Sequence, residues 1–144
     1  MHFWWAALKC SNCVGEMAKD RTTTRTAINP LVGPWSGPYG GVPPWDQVRP
    51  DRISDGFETV LAEERAEIEA IASSAEPPTF ENTVEALERS GLARSRLTRL
   101  FAVVAENITN PEYQALEREW EPKLAAASDA KFMNAALFKR IEAV

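Results

Sequence analysis

The placement of proline decides most of what this chain can become. Six of its ten prolines, together with four glycines, fall between residues 28 and 50, and such a stretch can form neither a helix interior nor a central strand. Leu31, Trp35, Tyr39, Val42 and Trp45 are interleaved among them. A flexible linker has no use for large aromatics, and proline-rich backbone loses less entropy on ordering. Residues 28–50 are therefore expected to form an extended strap laid across an apolar surface.

Beyond Pro50 the chain turns helical in period. Pro50 suits a first helical turn, where Asp51 and Asp55 meet the positive end of the dipole. Phe57, Val60, Leu61, Ile68 and Ile71 share one face, and Glu58, Glu63, Glu67 and Glu69 the other. This predicts a helix from Ile53 to Ala72, stopped by Pro77 and Pro78. Thr79 caps a second helix with Phe80, Val84 and Leu87 as its buried edge, broken or kinked at Ser90-Gly91. Leu97, Leu100, Phe101 and Val104 mark a third, ending near Asn107. Asn110-Pro111 restarts a fourth, with Tyr113, Leu116, Trp120 and Leu124 inward and Pro122 expected to kink or split it. Asn134 caps a last segment with Leu137, Phe138, Ile141 and Val144 on one side. No run alternates like a strand. The fold class is all-α: antiparallel helical hairpins preceded by the strap.

Residues 1–27 show no period and read as a disordered or non-native leader, with Met17 an alternative start. They carry +2 of a net charge of −5, leaving −7 on residues 28–144. An acidic body disfavours phosphate backbones, so nucleic acid is not an expected partner. The apolar run Phe3–Leu8 ends at Lys9, far short of the roughly 18 residues a membrane span needs. It also lacks the basic flank of a secretory signal. A cytoplasmic protein is expected, with no membrane partner.

The search for chemistry is short, because the chain has one histidine, His2. An H-E-x-x-H zinc site needs two imidazoles four residues apart, a third ligand and a general base. Ser-His-Asp and Cys-His arrangements also need a positioned histidine. Gly37 to Gly41 precedes prolines instead of opening a helix, so it is no phosphate loop. Cys10 and Cys13 have a metal or redox spacing, but a second cysteine pair and a βαβ context are both missing. Glu63, Glu64 and Glu67, alternating with Arg65, read as a solvated helix face. Arg89, Arg94, Arg96 and Arg99 form a basic run that could grip an acidic partner but reads first as surface charge. No catalytic, cofactor-binding or metal residue is assigned.

Several short motifs nonetheless fall in a recognisable order. They are Asn29-Pro30-Leu31, Pro43-Pro44-Trp45-Asp46-Gln47-Val48-Arg49-Pro50, Arg65-Ala66-Glu67-Ile68 and Pro78-Thr79-Phe80-Glu81-Asn82-Thr83. Leu87-Glu88-Arg89-Ser90-Gly91, Asn110-Pro111 and Leu137-Phe138-Lys139-Arg140-Ile141 follow. Together they resemble the N-terminal region of the M3 zinc oligopeptidases, more closely the peptidyl-dipeptidase branch than the oligopeptidase A branch. The resemblance covers residues 28–144 and departs at Arg52, where many relatives carry histidine. It implies part of a larger neurolysin-like helical fold, with the active site in a channel between two lobes and the zinc motif far downstream. The N-terminal helices would line and narrow that channel.

Residues 51–144 then read as the N-terminal helical region of such a peptidase. The helical pattern is still running at Val144, without glycine, C-cap or polar tail, so truncation is expected. The chain alone is expected to be inactive and poorly soluble or molten, with parts of Leu137, Phe138 and Ile141 exposed. Its partner would be the missing catalytic region, with short peptides and zinc engaged only by the full-length protein. The alternative is a stand-alone helical interaction or regulatory module; a small enzyme of unrelated chemistry is the third reading.

Overall fold

The computed structural model describes residues 29–38, 41–108 and 110–144. The expected leader, with His2, Cys10 and Cys13, and the strap residues Ile28, Tyr39 and Gly40 lie outside the described residues. What is described is helical, with no strand. A short 3-10 turn, Trp45–Gln47, leads into α1 (Pro50–Ala72). A π-helical turn, Phe80–Glu85, continues as α2 (Ala86–Arg89), followed by α3 (Leu92–Asn107), α4 (Pro111–Phe132) and α5 (Ala135–Glu142). Helix α1 is the hub, packing against α2, α3, α4 and α5.

The helix boundaries follow local chemistry. Arg49 is extended at the N-cap and Pro50 is the first helical residue, so α1 begins three residues before the expected Ile53; proline's fixed φ suits that position. Thr79 and Asn82 form a reciprocal capping box, Thr79 Oγ1 accepting from Asn82 N and Asn82 Oδ1 from Thr79 N. Asn110 and Asn134 cap α4 and α5 through their side-chain oxygens. Gly91 ends the α2 segment at φ +70°, a left-handed conformation costly for residues with a Cβ. Pro122 does not split α4, which runs unbroken through it. Pro122 and Arg118, one turn before it, are both exposed, so water can satisfy the carbonyl that proline leaves unpaired.

The main core holds twelve buried residues. Leu31 and Val32 meet Ile53, Phe57 and Val60 of α1, Leu97, Leu100, Phe101 and Val104 of α3, and Tyr113, Leu116 and Trp120 of α4. Phe57 sits edge-on to Phe101 at 5.5 Å and tilted over Trp120 at 5.2 Å between ring centroids, spacings that favour aromatic pairs. Gly56 lets α3 come close: a Cβ there would lie 2.9 Å from Leu97 Cδ2.

Residues 29–35 bind this core through a turn. Asn29 Oδ1 accepts from Leu31 N, and Asn29 Nδ2 donates to Arg52 O at 2.7 Å. Further along, Val42 and Trp45 are exposed. The Pro/Gly segment thus mixes turns with extended backbone: Leu31 and Val32 are buried in the core, and Trp35 and Val48 pack against it.

A second, smaller cluster joins Ile68 and Ile71 of α1 to Leu137 of α5. Here the expected faces need correcting. Phe80 is 59% exposed, while Thr83 is fully buried, because the wider π-helical turn shifts the angular register. On α5 the inward pair is Leu137 and Arg140; Phe138, Ile141 and Val144 remain exposed. Leu137, expected to be partly exposed, is 3% accessible.

Candidate functional site

Glu64 lies on the buried stripe of α1, one turn after Val60 and one before Ile68, and its side chain is 7% exposed. A carboxylate cannot sit there alone, since removing it from water costs far more than a helix position gains. Arg94, from the first turns of α3, answers it: Nε lies 2.5 Å from Oε2 and Nη2 donates to Oε1 at 3.2 Å. Lys131, near the end of α4, adds a second cation 3.9 Å from Oε1 and donates to Ser90 Oγ at 3.4 Å. One turn along α1, Glu67 accepts from the Gly91 backbone N–H at 2.8 Å. The Ser90-Gly91 break is thereby held against α1, and a Cβ on Gly91 would collide with the Glu64 carboxylate.

This cluster corrects two readings. Glu63 is exposed, but Glu64 is buried, and Glu67 uses its carboxylate in a tertiary bond despite its exposure. The basic run divides the same way. Arg89 pairs with Glu85 one turn back and Arg99 is exposed, as surface charges should. Arg94 ties α3 to α1. Arg96 donates to Val32 O at 2.9 Å and lies 5.5 Å from the Trp35 ring centroid, a cation–π contact that fastens residues 32–35 to α3. The sequence held a signal for Glu64: it occupies an inward position, four residues from Val60 and from Ile68. An acid at such a position calls for a cation, and α3 and α4 supply it.

Beside the cluster, α1 and α4 leave a groove of about 650 Å³. Leu61, Ile68 and Trp120 supply apolar wall, Ala126 and Ala130 keep it open, and Glu64 and Lys131 line its polar part. A smaller hollow of about 190 Å³ lies between α3 and α4.

Glu64 is paired with two cations, and Glu67 accepts a hydrogen bond from the Gly91 amide. Among the described residues no three His, Cys, Asp or Glu side chains converge on one point, and residues 29–144 contain no histidine or cysteine at all. The donor set does not fit a catalytic zinc ion, which takes imidazole ligands with an open position. No described helix is long and apolar enough to cross a membrane.

No model of a protein family matches the chain. Individual proteins do. The chain is 37% identical over 118 residues to the dipeptidyl carboxypeptidase of Salmonella typhimurium, and 34% identical over 119 residues to that of Escherichia coli. The chain is related to the M3 peptidases. These alignments take in 82% and 83% of this chain but only 17% of either relative. It therefore corresponds to a short region of a peptidase-like protein, about a sixth of the length of the relatives it matches.

Proposed function

We propose that this chain is an N-terminal, non-catalytic part of a cytoplasmic zinc oligopeptidase of the peptidyl-dipeptidase branch, contributing to the lobe that lines the substrate channel. The observation that carries this reading is the similarity to two dipeptidyl carboxypeptidases across four-fifths of the chain. The inventory of donors agrees with it: peptide hydrolysis by zinc needs imidazole ligands, and the helical region has none to offer. Zinc, short peptides and the catalytic region would belong to the full-length protein, and residues 29–144 would act as scaffold.

The test is to purify the chain, add zinc, and measure both bound metal and cleavage of short peptides. The expected result is no stoichiometric zinc on residues 29–144 and no turnover above that of a mock purification. Turnover that survives removal of contaminating peptidases would overturn the proposal.

A second reading, a stand-alone helical interaction module, draws support from the twelve-residue core, which is closed without help from another chain. A sharp, cooperative melt of a monomer with no tendency to aggregate would favour that reading over a scaffold part.

A further inference from the structure

Helix α5 carries more apolar surface than this chain covers. At about 100° per residue, Arg140 lies about 60° to one side of Leu137, Ile141 about 40° to the other, and Phe138 about 100° along that same flank. Leu137 and Arg140 are buried, but Ile141 is 38% and Phe138 57% exposed. Just before the helix, Phe132 and Met133 are 80% and 82% exposed, and Val144 follows at 52%. Single exposed hydrophobics are ordinary; five large ones within the thirteen residues that span α5 are not.

The way α5 is held points the same way. Its own apolar anchorage is the three-residue cluster of Ile68, Ile71 and Leu137. Orientation comes instead from Arg140, which donates to Ser74 O and Glu76 O at 3.0 Å and to Asn82 Oδ1 at 3.1 Å. Those bonds fix the helix in rotation, and with it the direction in which Phe138 and Ile141 face. A polar staple of this kind presents an apolar flank while burying little of it.

We propose that the Phe138–Ile141 flank of α5, with Phe132 and Met133, is a docking face. Its occupant is an apolar helix face from the remainder of the full-length peptidase. This rests on the peptidase reading above and adds to it the surface of attachment. The choice of occupant follows from length: the relatives are about six times longer than the stretch they share with this chain, so most of the protein that could cover the flank lies outside that stretch. A second copy of this chain is the competing occupant, and the test separates the two.

In the test, residues 29–144 replace the matching segment of the Salmonella typhimurium dipeptidyl carboxypeptidase, with and without the double substitution F138D/I141D. The same substitution is made in the isolated 144-residue chain. The expected signature is opposite in sign. The isolated chain gains soluble yield, because two exposed apolar side chains become charged. The chimera loses about tenfold or more of its folded, peptide-cleaving fraction, because the same carboxylates would be buried without partners. A substituted chimera that folds and cleaves like the unsubstituted one would sink the docking face while leaving the peptidase reading intact. An unsubstituted chimera that does not fold would also count against it, since the surfaces then do not match. An isolated chain that sediments as a dimer and becomes monomeric on F138D/I141D would assign the flank to a second copy instead. Zinc-dependent turnover by the isolated chain would fail the peptidase-scaffold reading itself.

Discussion

At Phe57 and again at Glu64, about two turns apart on one face of α1, the same helix is held in two different ways. Around Phe57 the neighbours are Phe101, Trp120 and nine other buried apolar residues from α1, α3, α4 and the segment before α1. Around Glu64 the neighbours are Arg94, Lys131 and the Gly91 turn, and beyond them the apolar cluster shrinks to Ile68, Ile71 and Leu137. Apolar packing is non-directional and fills volume; ion pairs and carbonyl bonds are directional and fix angles. The first end of the molecule is thus built for stability, and the second for placing the Ser90-Gly91 turn and α5 in set orientations.

The largest effect should come from the apolar end. Trp120 is 2% exposed, stacks on Phe57 and donates from Nε1 to Ser54 Oγ at 3.2 Å. Trp120→Ala leaves a large cavity and an unfilled hydroxyl, and should cost about 3–5 kcal/mol. Urea unfolding followed by circular dichroism measures this. If Trp120→Ala costs less than the substitutions at the polar end described next, the division of roles between the two ends is wrong.

Glu64→Gln tests the polar end. It keeps the shape but removes the charge that Arg94 and Lys131 share. Breaking a fully buried pair costs about 3–5 kcal/mol, but the two cations are 23% and 20% exposed, and water takes up part of that loss. We expect about 1–3 kcal/mol. Glu63→Gln, at an exposed neighbour, should stay within about 0.5 kcal/mol. Equal effects from the two substitutions would mean that the Glu64 cluster contributes nothing beyond surface charge.

These two residues also mark what could be read from the sequence. The Trp120 stripe was legible because apolar side chains at 3- and 4-residue spacing declare a buried face directly. So were the caps at Thr79, Asn110 and Asn134, whose side chains bond to amides two or three residues away and need no tertiary partner. Glu64 and Arg140 were not legible in that way. Each sits at an inward position, yet its partners lie on other elements: Arg94 and Lys131 for the acid, Ser74, Glu76 and Asn82 for the base. A periodic pattern reports which way a side chain faces but not who waits for it. Phe80 failed for a related reason, since the π-helical turn breaks the 3.6-residue count on which the pattern rests.

Arg140→Ala comes next in size. It removes three hydrogen bonds, two of them to backbone carbonyls that become accessible to water once the side chain is gone, so about 1–2 kcal/mol is expected. The sharper readout is amide hydrogen exchange. Faster exchange should be confined to α5 and residues 73–82, with the twelve-residue core unchanged, because the staple acts on orientation at one end. Exchange that rises uniformly over α1, α3 and α4 would show the two ends to be a single cooperative unit.

The smallest expected effect belongs to Tyr113, at the apolar end, and it depends on pH. Its hydroxyl donates to Val48 O at 3.4 Å, joining α4 to the segment before α1. Burial, and secondarily the Glu112 and Asp51 carboxylates, raise its pKa above the ordinary 10.0. The folded protein therefore keeps a proton that the unfolded chain releases first. The stability this contributes is fully present below pH 10 and is lost as pH rises from there through the raised folded value. Comparison with Tyr113→Phe isolates the tyrosine from the lysines that titrate in the same range. The wild-type advantage over the variant in urea midpoint should be constant from pH 7 to about 9 and shrink above that. An advantage that grows with alkaline pH would mean the phenolate is the favoured folded form, and would place Tyr113 in the polar kind of environment that otherwise belongs to the other end of α1.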